Sequence, residues 1–248
     1  MFVDAHCHLD WFRNPEKVVS AAEKAQVGLI ISNSTDLDSM RKNLSLAEEF
    51  EIVSAAGGIH PKDMLFMEEN EIRKGIEFLK KNLASFSAVG EVGLDYKHAK
   101  TKSQKELQEK YLQEFISLAM ENKKPLIVHS RYSDEKLLEI LEKNSPGKVL
   151  MHWFNNKKES IEKALDLGYF ISAGPIILSD KKSSELTKLI PLESLLLETD
   201  APVEFGGKAA EPSWIPKVAE KVAEIHGIPL KEIEETTSKN SLNLFPQE

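Results

Sequence analysis

From end to end the chain alternates between a short apolar run and a longer amphipathic segment, and it does so eight times. The apolar runs are Phe2–His6, Val27–Ser32, Ile52–Gly57, Ala88–Val92, Pro125–His129, Lys148–Trp153, Gly168–Ser172 and Leu195–Glu198. They are short and almost continuously apolar, as strands are when helices cover a parallel sheet. The strict alternation of a half-exposed antiparallel sheet is missing. The intervening segments carry helical stripes: Leu37, Met40, Leu44 and Ala47, then Leu107, Tyr111, Phe115 and Leu118, then Ile161, Ala164 and Leu165, then Val218, Val222 and Ile225. Asn14-Pro15-Glu16 predicts a capped helix start with proline in the first turn. Eight such units in 248 residues predict an α/β fold, a single TIM-type (β/α)8 barrel spanning 1–248. An open doubly wound sheet is the rival, but its Gly-rich turn after the first strand is absent.

Charge and cysteine content narrow the function. Lys and Arg number 32 against 40 Asp and Glu, a formal net charge of −8. Extended coating of a nucleic-acid duplex needs a broad basic face, which such a balance disfavours. A grip on one chain end or on a small substrate needs only a local patch. No apolar stretch approaches the roughly 18 residues that cross a bilayer. Met1–His6 shows no basic leader before an apolar segment, and the single cysteine, Cys7, forms neither an intrachain disulfide nor a cysteine-based zinc knuckle. These features predict a reduced, cytoplasmic protein with no membrane contact and no obligatory protein partner.

Polar residues punctuate the ends of the apolar runs. The first closes on Asp4-Ala5-His6-Cys7-His8, where a period of two puts Asp4, His6 and His8 on one face and Ala5 and Cys7 on the other. Glu91 ends the fourth run, His129 the fifth, His152 lies near the end of the sixth, and Asp200 follows the eighth. In a parallel barrel these positions all open onto the face where barrel enzymes build their sites. Burying so many ionisable groups is costly unless they pair or bind metal. Six donors of this kind suit two divalent ions: His6, His8 and Asp200 for one, His129 and His152 for the other, with the carboxylate of Glu91 able to bridge. Mixed imidazole and carboxylate donors leave Mg, Mn and Zn open.

In order and at matching separations, five segments resemble the TatD-type metal-dependent deoxyribonucleases of the amidohydrolase superfamily. They are Phe2–Asp10 (FVDAHCHLD), Gly58-Ile59-His60-Pro61, Gly90–Tyr96 (GEVGLDY), Ile127–Arg131 (IVHSR) and Leu196–Pro202 (LLETDAP), and Thr237–Phe245 is similar to the family's last helix. The resemblance implies a distorted (β/α)8 barrel, divalent metal at His6, His8, Glu91, His129, His152 and Asp200, and hydrolysis of phosphodiesters in DNA. Two stretches depart from the family pattern: His152-Trp153-Phe154-Asn155-Asn156 after the sixth run, and the Val203–Ala210 loop, which lacks an arginine and an asparagine found in relatives.

The chemistry expected of such a site is metal-assisted attack on phosphorus, because a water between two cations loses a proton near neutrality. Asp200 is the expected proton acceptor, with Glu91 the other catalytic carboxylate. Candidate substrate contacts are His60, Arg131, Lys208 and Tyr96. Each has a plainer alternative: a loop-fixing role for His60, a pairing with a loop acid for Arg131, a mobile loop cation in Lys208, and simple packing for Tyr96. Glu198, Asp95 and Asp4 either orient histidines from behind or sit elsewhere, Trp153 packs behind the barrel, and His98 and His226 read as solvated. The expected partner is DNA, single-stranded or frayed at its end. Hydrolysis of an amide, a lactone or an aminoacyl ester is the other reading, since the same chemistry attacks carbonyl carbon.

Overall fold

A computed structural model describes residues 1–154 and 157–246. Eight parallel strands follow one another around a single sheet: β1 (Phe2–Cys7), β2 (Val27–Asn33), β3 (Val53–Gly57), β4 (Ala88–Asp95), β5 (Leu126–Arg131), β6 (Val149–Met151), β7 (Phe170–Ala173) and β8 (Leu195–Leu197). Backbone bonds from His8 to Ala201 (2.7 Å) and from Asp200 to His6 (2.9 Å) tie the end of the sheet back to its start. The expected (β/α)8 barrel is therefore the observed fold. Ten helices cover it: α1 (Pro15–Lys24), α2 (Leu37–Glu49), α3 (Pro61–Met64), α4 (Glu69–Lys81), α5 (Lys102–Glu121), α6 (Asp134–Asn144), α7 (Lys158–Asp166), α8 (Lys181–Thr187), α9 (Ile215–His226) and α10 (Leu230–Leu244), counted among the described residues. None of them is long and apolar enough to cross a membrane.

Local chemistry sets the helix starts. Asp36 and Ser39 cap α2 reciprocally, and Thr101 and Gln104 do the same for α5, each satisfying backbone N–H groups that a helix leaves unpaired. Proline opens α1 as the sequence predicts, but Asn14 makes no side-chain cap bond. Tyr111, Phe115 and Leu118 on α5, and Val218 and Val222 on α9, bury their stripes against the outer face of the sheet.

The inner face forms a separate apolar layer of Val3, Ala5, Leu29, Ile31, Ala56, Ala88, Ile127, Leu150 and Leu196, against which Leu244 and Phe245 also pack. Two residues beyond Ile127, Leu150 and Leu196 stand His129, His152 and Glu198. The period of two thus stacks a polar layer directly on an apolar one, and the apolar layer is the floor of the site. The first strand departs from this pattern. Ala5 belongs to the inner layer and Cys7 to the outer one, so the expected common face for Ala5 and Cys7 is not observed. A register irregularity between Asp4 and Cys7 breaks the alternation there. Asp4 turns instead to the neighbouring chain segment, accepting bonds from the Thr199 N–H (3.0 Å) and hydroxyl.

One glycine is dictated by close approach. Gly93 has a φ of 144° and pairs with His129 across β4 and β5; a Cβ there would lie 2.1 Å from the His129 carbonyl oxygen. Gly93→Ala is expected to cost more than about 3 kcal/mol, in the range reserved for backbone strain combined with overlap. Equilibrium denaturation in urea measures it, and a loss below about 1 kcal/mol would show that the two strands can separate locally.

Candidate metal centre

The six polar residues from the strand ends converge. His6 and His8 leave β1, Glu91 sits within β4, His129 within β5, and His152 and Asp200 stand just past β6 and β8. His6, His8, Glu91, His152 and Asp200 are buried. His8, Glu91, His129, His152 and Asp200 open onto a cavity of about 910 Å³ whose wall also includes Trp11, His60, Arg131, Tyr132 and Trp153, with His6 buried behind it.

Glu91 organises the cluster. Its Oε2 lies 3.5 Å from Nε2 of both His6 and His8, and Oδ1 of Asp200 lies 3.5 and 3.6 Å from the same two nitrogens. Its Oε1 faces the other way, 2.8 Å from His129 Nδ1, 3.5 Å from His60 Nε2 and 3.6 Å from His152 Nε2. Donors placed about 2.1 Å from a shared centre in a tetrahedron stand about 3.4 Å apart. The spacings on the Oε2 side fit that requirement. In addition, neither ring nitrogen of the fully buried His6 has a hydrogen-bond partner among the described residues, a cost that a cation would remove.

For His8, His152 and His60 a hydrogen-bond partner fixes which nitrogen carries the lone pair. Nδ1–H of His8 donates to the Asn33 carbonyl (2.9 Å), which can only accept, so Nε2 is free toward Glu91 and Asp200. Nδ1–H of His152 likewise donates to Glu198 (2.9 Å), freeing Nε2. His129 turns Nε2 to within 3.6 Å of Asp95 and Nδ1 toward Glu91. His60 is reversed: its Nδ1 accepts the Lys62 N–H (3.1 Å) at the start of α3, so the neutral ring holds its proton on Nε2. His60 therefore offers a donor, not a lone pair, to the centre.

Electrostatics agree with this division. Burial pushes His6 down to about 4, with repulsion from His152 adding to it, and burial pushes His60 down to about 3. Both rings are neutral at neutral pH. Burial also opposes charge on His152, but Glu198, Asp200 and Glu91 together outweigh it and raise the ring to about 10; around His8, Asp200 and Glu91 outweigh burial and hold it at about 8. The field that attracts a proton to those nitrogens attracts a cation equally. Glu91 is held well below the usual carboxylate range, since the surrounding histidines, His60 first, outweigh its burial.

Several expectations change. His129 and His152 meet only through Oε1 of Glu91, at 2.8 and 3.6 Å; the tighter groups are His129 with His60 and Glu91, and His152 with His6 and Glu91. Tyr96 lies outside the cavity wall, because β4 runs on to Asp95 and the phenol then turns to Glu109 on α5 (2.5 Å). Lys208 is exposed on a two-stranded hairpin of β9 (Glu204–Phe205) and β10 (Lys208–Ala209), also outside the wall. Trp153 lines the cavity instead of packing behind the barrel; its φ of 41° breaks the alternation, and Phe205 packs against it with ring centres 5.2 Å apart. His98 is half-buried and held by Asp95 (2.7 Å) in the cavity wall. His226 is half-buried. Glu198 is fully buried and also accepts bonds from Ser172 and the Trp153 N–H. Arg131 lines the cavity, exposed, and makes no ion pair among the described residues, so its pairing with a loop acid is not observed. Asn155 and Asn156 lie outside the described residues. Trp11 and Tyr132 were not singled out by the sequence; only their proximity to His8 and His129 pointed to them.

Comparison with known proteins gives a consistent answer. The profile of a family described as TatD related DNase matches residues 3–246. The chain is 32% identical over 258 aligned positions to uncharacterized metal-dependent hydrolase YabD of Bacillus subtilis, covering 99% of each chain. It is 32% identical to human deoxyribonuclease TATDN3, covering 99% of this chain and 94% of that one. The crystal structure of YjjV, a TatD homologue from Escherichia coli, superposes with a TM-score of 0.89 at 31% identity, over 100% of this chain and 98% of that one. With its eight-stranded barrel and its histidine–carboxylate cluster at the strand ends, this chain belongs to the TatD related DNase family of metal-dependent hydrolases.

Proposed function

We propose that the chain is a phosphodiesterase that removes nucleotides from single-stranded or frayed DNA ends, using two divalent cations. The observation that carries this reading is Glu91, whose two oxygens face separate sets of nitrogen donors. His6, His8 and Asp200 with Oε2 of Glu91 would hold one ion; His129 and His152 with Oε1 would hold the other. Such ions supply Lewis acidity to phosphoryl oxygens and favour loss of a proton from water. DNA as substrate is supported by the family's description and by the human relative's name.

The chain's own residues have distinct tasks in this reaction. Asp200 faces both the cluster and the cavity and takes up the proton of the attacking water. His60 donates from Nε2 to a phosphoryl oxygen, which its tautomer permits and its neutrality preserves. Arg131 offers a planar pair of N–H donors to phosphate from the cavity wall. Glu198 and Asn33 hold two imidazoles in place from behind, and the Asp95 carboxylate stands behind that of His129, 3.6 Å from its Nε2.

The test is incubation with end-labelled single-stranded DNA, with Mg, Mn or Zn or with chelator, beside a panel of carboxylic esters, lactones and amides. Metal-dependent release of mononucleotides from the labelled end is the expected result. Turnover of an ester or amide while DNA stays intact would transfer the site to carbonyl chemistry and overturn the proposal.

A further inference from the structure

Two aromatic residues project from the cavity mouth in a way the metal centre does not explain. Tyr132 is 77% exposed and Trp11 is 51% exposed, and both line the cavity. Single exposed aromatics are ordinary on a protein surface, but the backbone at Tyr132 is not ordinary. Its φ is 57°, a left-handed conformation that bulky side chains rarely adopt. Hydrogen bonds fasten the segment around it. Ser133 Oγ accepts the Arg131 N–H (3.2 Å) and donates to the Leu94 carbonyl (2.8 Å), while Ser130 donates to Asp134 (2.6 Å). The hydrogen bonds fasten both neighbours and turn Tyr132 outward, where its ring makes no aromatic contact among the described residues. Strain of this kind persists where a site requires it.

Trp11 is placed differently but to similar effect. It ends a single 3-10 turn after β1, and its indole stacks on His8 at 4.4 Å with planes 12° apart. One part of the indole is therefore covered and the rest is open to the cavity. In the barrel order, β1 and β5 are four strands apart in either direction, so Trp11 and Tyr132 stand on opposite rims with the Glu91–Asp200 cluster between them. Lys62, Arg131 and Lys182 also stand in the wall, alongside Asp63 and Asp180, and none of the three cations makes an ion pair among the described residues. Flat apolar surfaces flanking free cations are what single-stranded nucleic acid binds.

We infer that Trp11 and Tyr132 are stacking platforms for the two nucleobases on either side of the scissile phosphate. The two bases would splay to opposite rims, setting the phosphate over the cluster. Bases held in a duplex cannot splay in this way. The enzyme would therefore act on unpaired, base-bearing ends and tolerate any base, because stacking reads no hydrogen-bonding edge. This inference rests on the phosphodiesterase reading above and names what the same site recognises.

The experiment compares kcat/KM for Tyr132→Ala and Trp11→Ala on four oligonucleotides. One is a single strand with all its bases; two carry an abasic tetrahydrofuran residue at the last or next-to-last position; one is a blunt duplex. On the intact single strand each variant is expected to lose at least fivefold, mainly through KM. Removing the base at one position should abolish the Tyr132→Ala loss, and removing it at the other should abolish the Trp11→Ala loss. Tyr132→Phe and Trp11→Tyr should restore most of the activity. Tyr132→Gly relieves the positive φ, so it should melt no lower than the parent while losing the same activity as Tyr132→Ala. Equal losses on intact and abasic strands would overturn the inference, since they would mean that Trp11 only steadies His8 or that Tyr132 only shapes the loop. So would a blunt duplex cleaved as fast as a single strand. If the unaltered protein leaves all four substrates intact but turns over esters, the phosphodiesterase reading falls first and this inference with it.

Discussion

Glu91→Ala is expected to leave less than a thousandth of the metal-dependent activity and to lower bound cation more than any single histidine replacement does. The reason is its position between two donor sets. Oε2 lies 3.5 Å from both His6 Nε2 and His8 Nε2, and Oε1 lies 2.8 Å from His129 Nδ1. Losing His6 or His152 removes one donor from one set, whereas losing Glu91 removes a donor from both. It also removes the negative charge that balances a group of buried imidazoles, so their protonation would then compete with metal. Elemental analysis of purified protein gives the stoichiometry, and thermal melts with and without chelator give the linkage. Metal at a thousand times its dissociation constant contributes about 4 kcal/mol to the native state, and most of that gain should vanish in the variant. A Glu91→Ala protein that kept its full complement of cation would remove Glu91 from the centre. His6→Ala should give an intermediate result, with reduced stoichiometry and an unchanged circular dichroism spectrum.

The strand-end histidines and acids were legible because alternation along a buried strand is rigid. Once Ile127, Leu150 and Leu196 face the interior, His129, His152 and Glu198 must follow them. The eight strands themselves were legible from apolar runs bounded by helical stripes, with ends that coincide or differ by up to three residues. Other features depend on backbone events that leave no periodic trace. Trp153 turns into the cavity because its φ is 41°, and Ala5 and Cys7 part company because β1 is irregular between Asp4 and Cys7. Tyr96 was misread because β4 continues to Asp95 before the chain turns. His60 shows a third kind of limit. Its sequence position suggested a substrate contact, its distance from Glu91 suggests a ligand, and only the Lys62 N–H at its Nδ1 separates the two. A tautomer is a property of neighbours in space, and Lys62 becomes such a neighbour only when α3 forms.

Asp200→Asn is the sharpest probe of proton transfer, because it changes a charge and almost nothing else. Asp200 has a φ of 51°, and asparagine tolerates that conformation as well as aspartate does. The backbone bond from its N–H to the His6 carbonyl (2.9 Å) also survives, so the link between the ends of the sheet is kept. The amide can still place an oxygen near His6 and His8 but cannot take up a proton at neutral pH. A general base of this kind contributes about 10² to 10⁴ in rate. We therefore expect kcat to fall by at least a hundredfold with KM within about threefold and the melting temperature near the parent's. The contrast with Glu91→Ala is what makes the pair informative. Glu91→Ala should lose metal and activity together, while Asp200→Asn should retain the greater part of its metal and still fail to turn over. Single-turnover measurements with saturating metal separate the two cases, since added cation should recover none of the lost rate in Asp200→Asn. If excess metal restores it, Asp200 serves only to hold the ion, and the proton must leave through another group facing the cavity, for which His60, holding its own proton on Nε2, is the wrong tautomer.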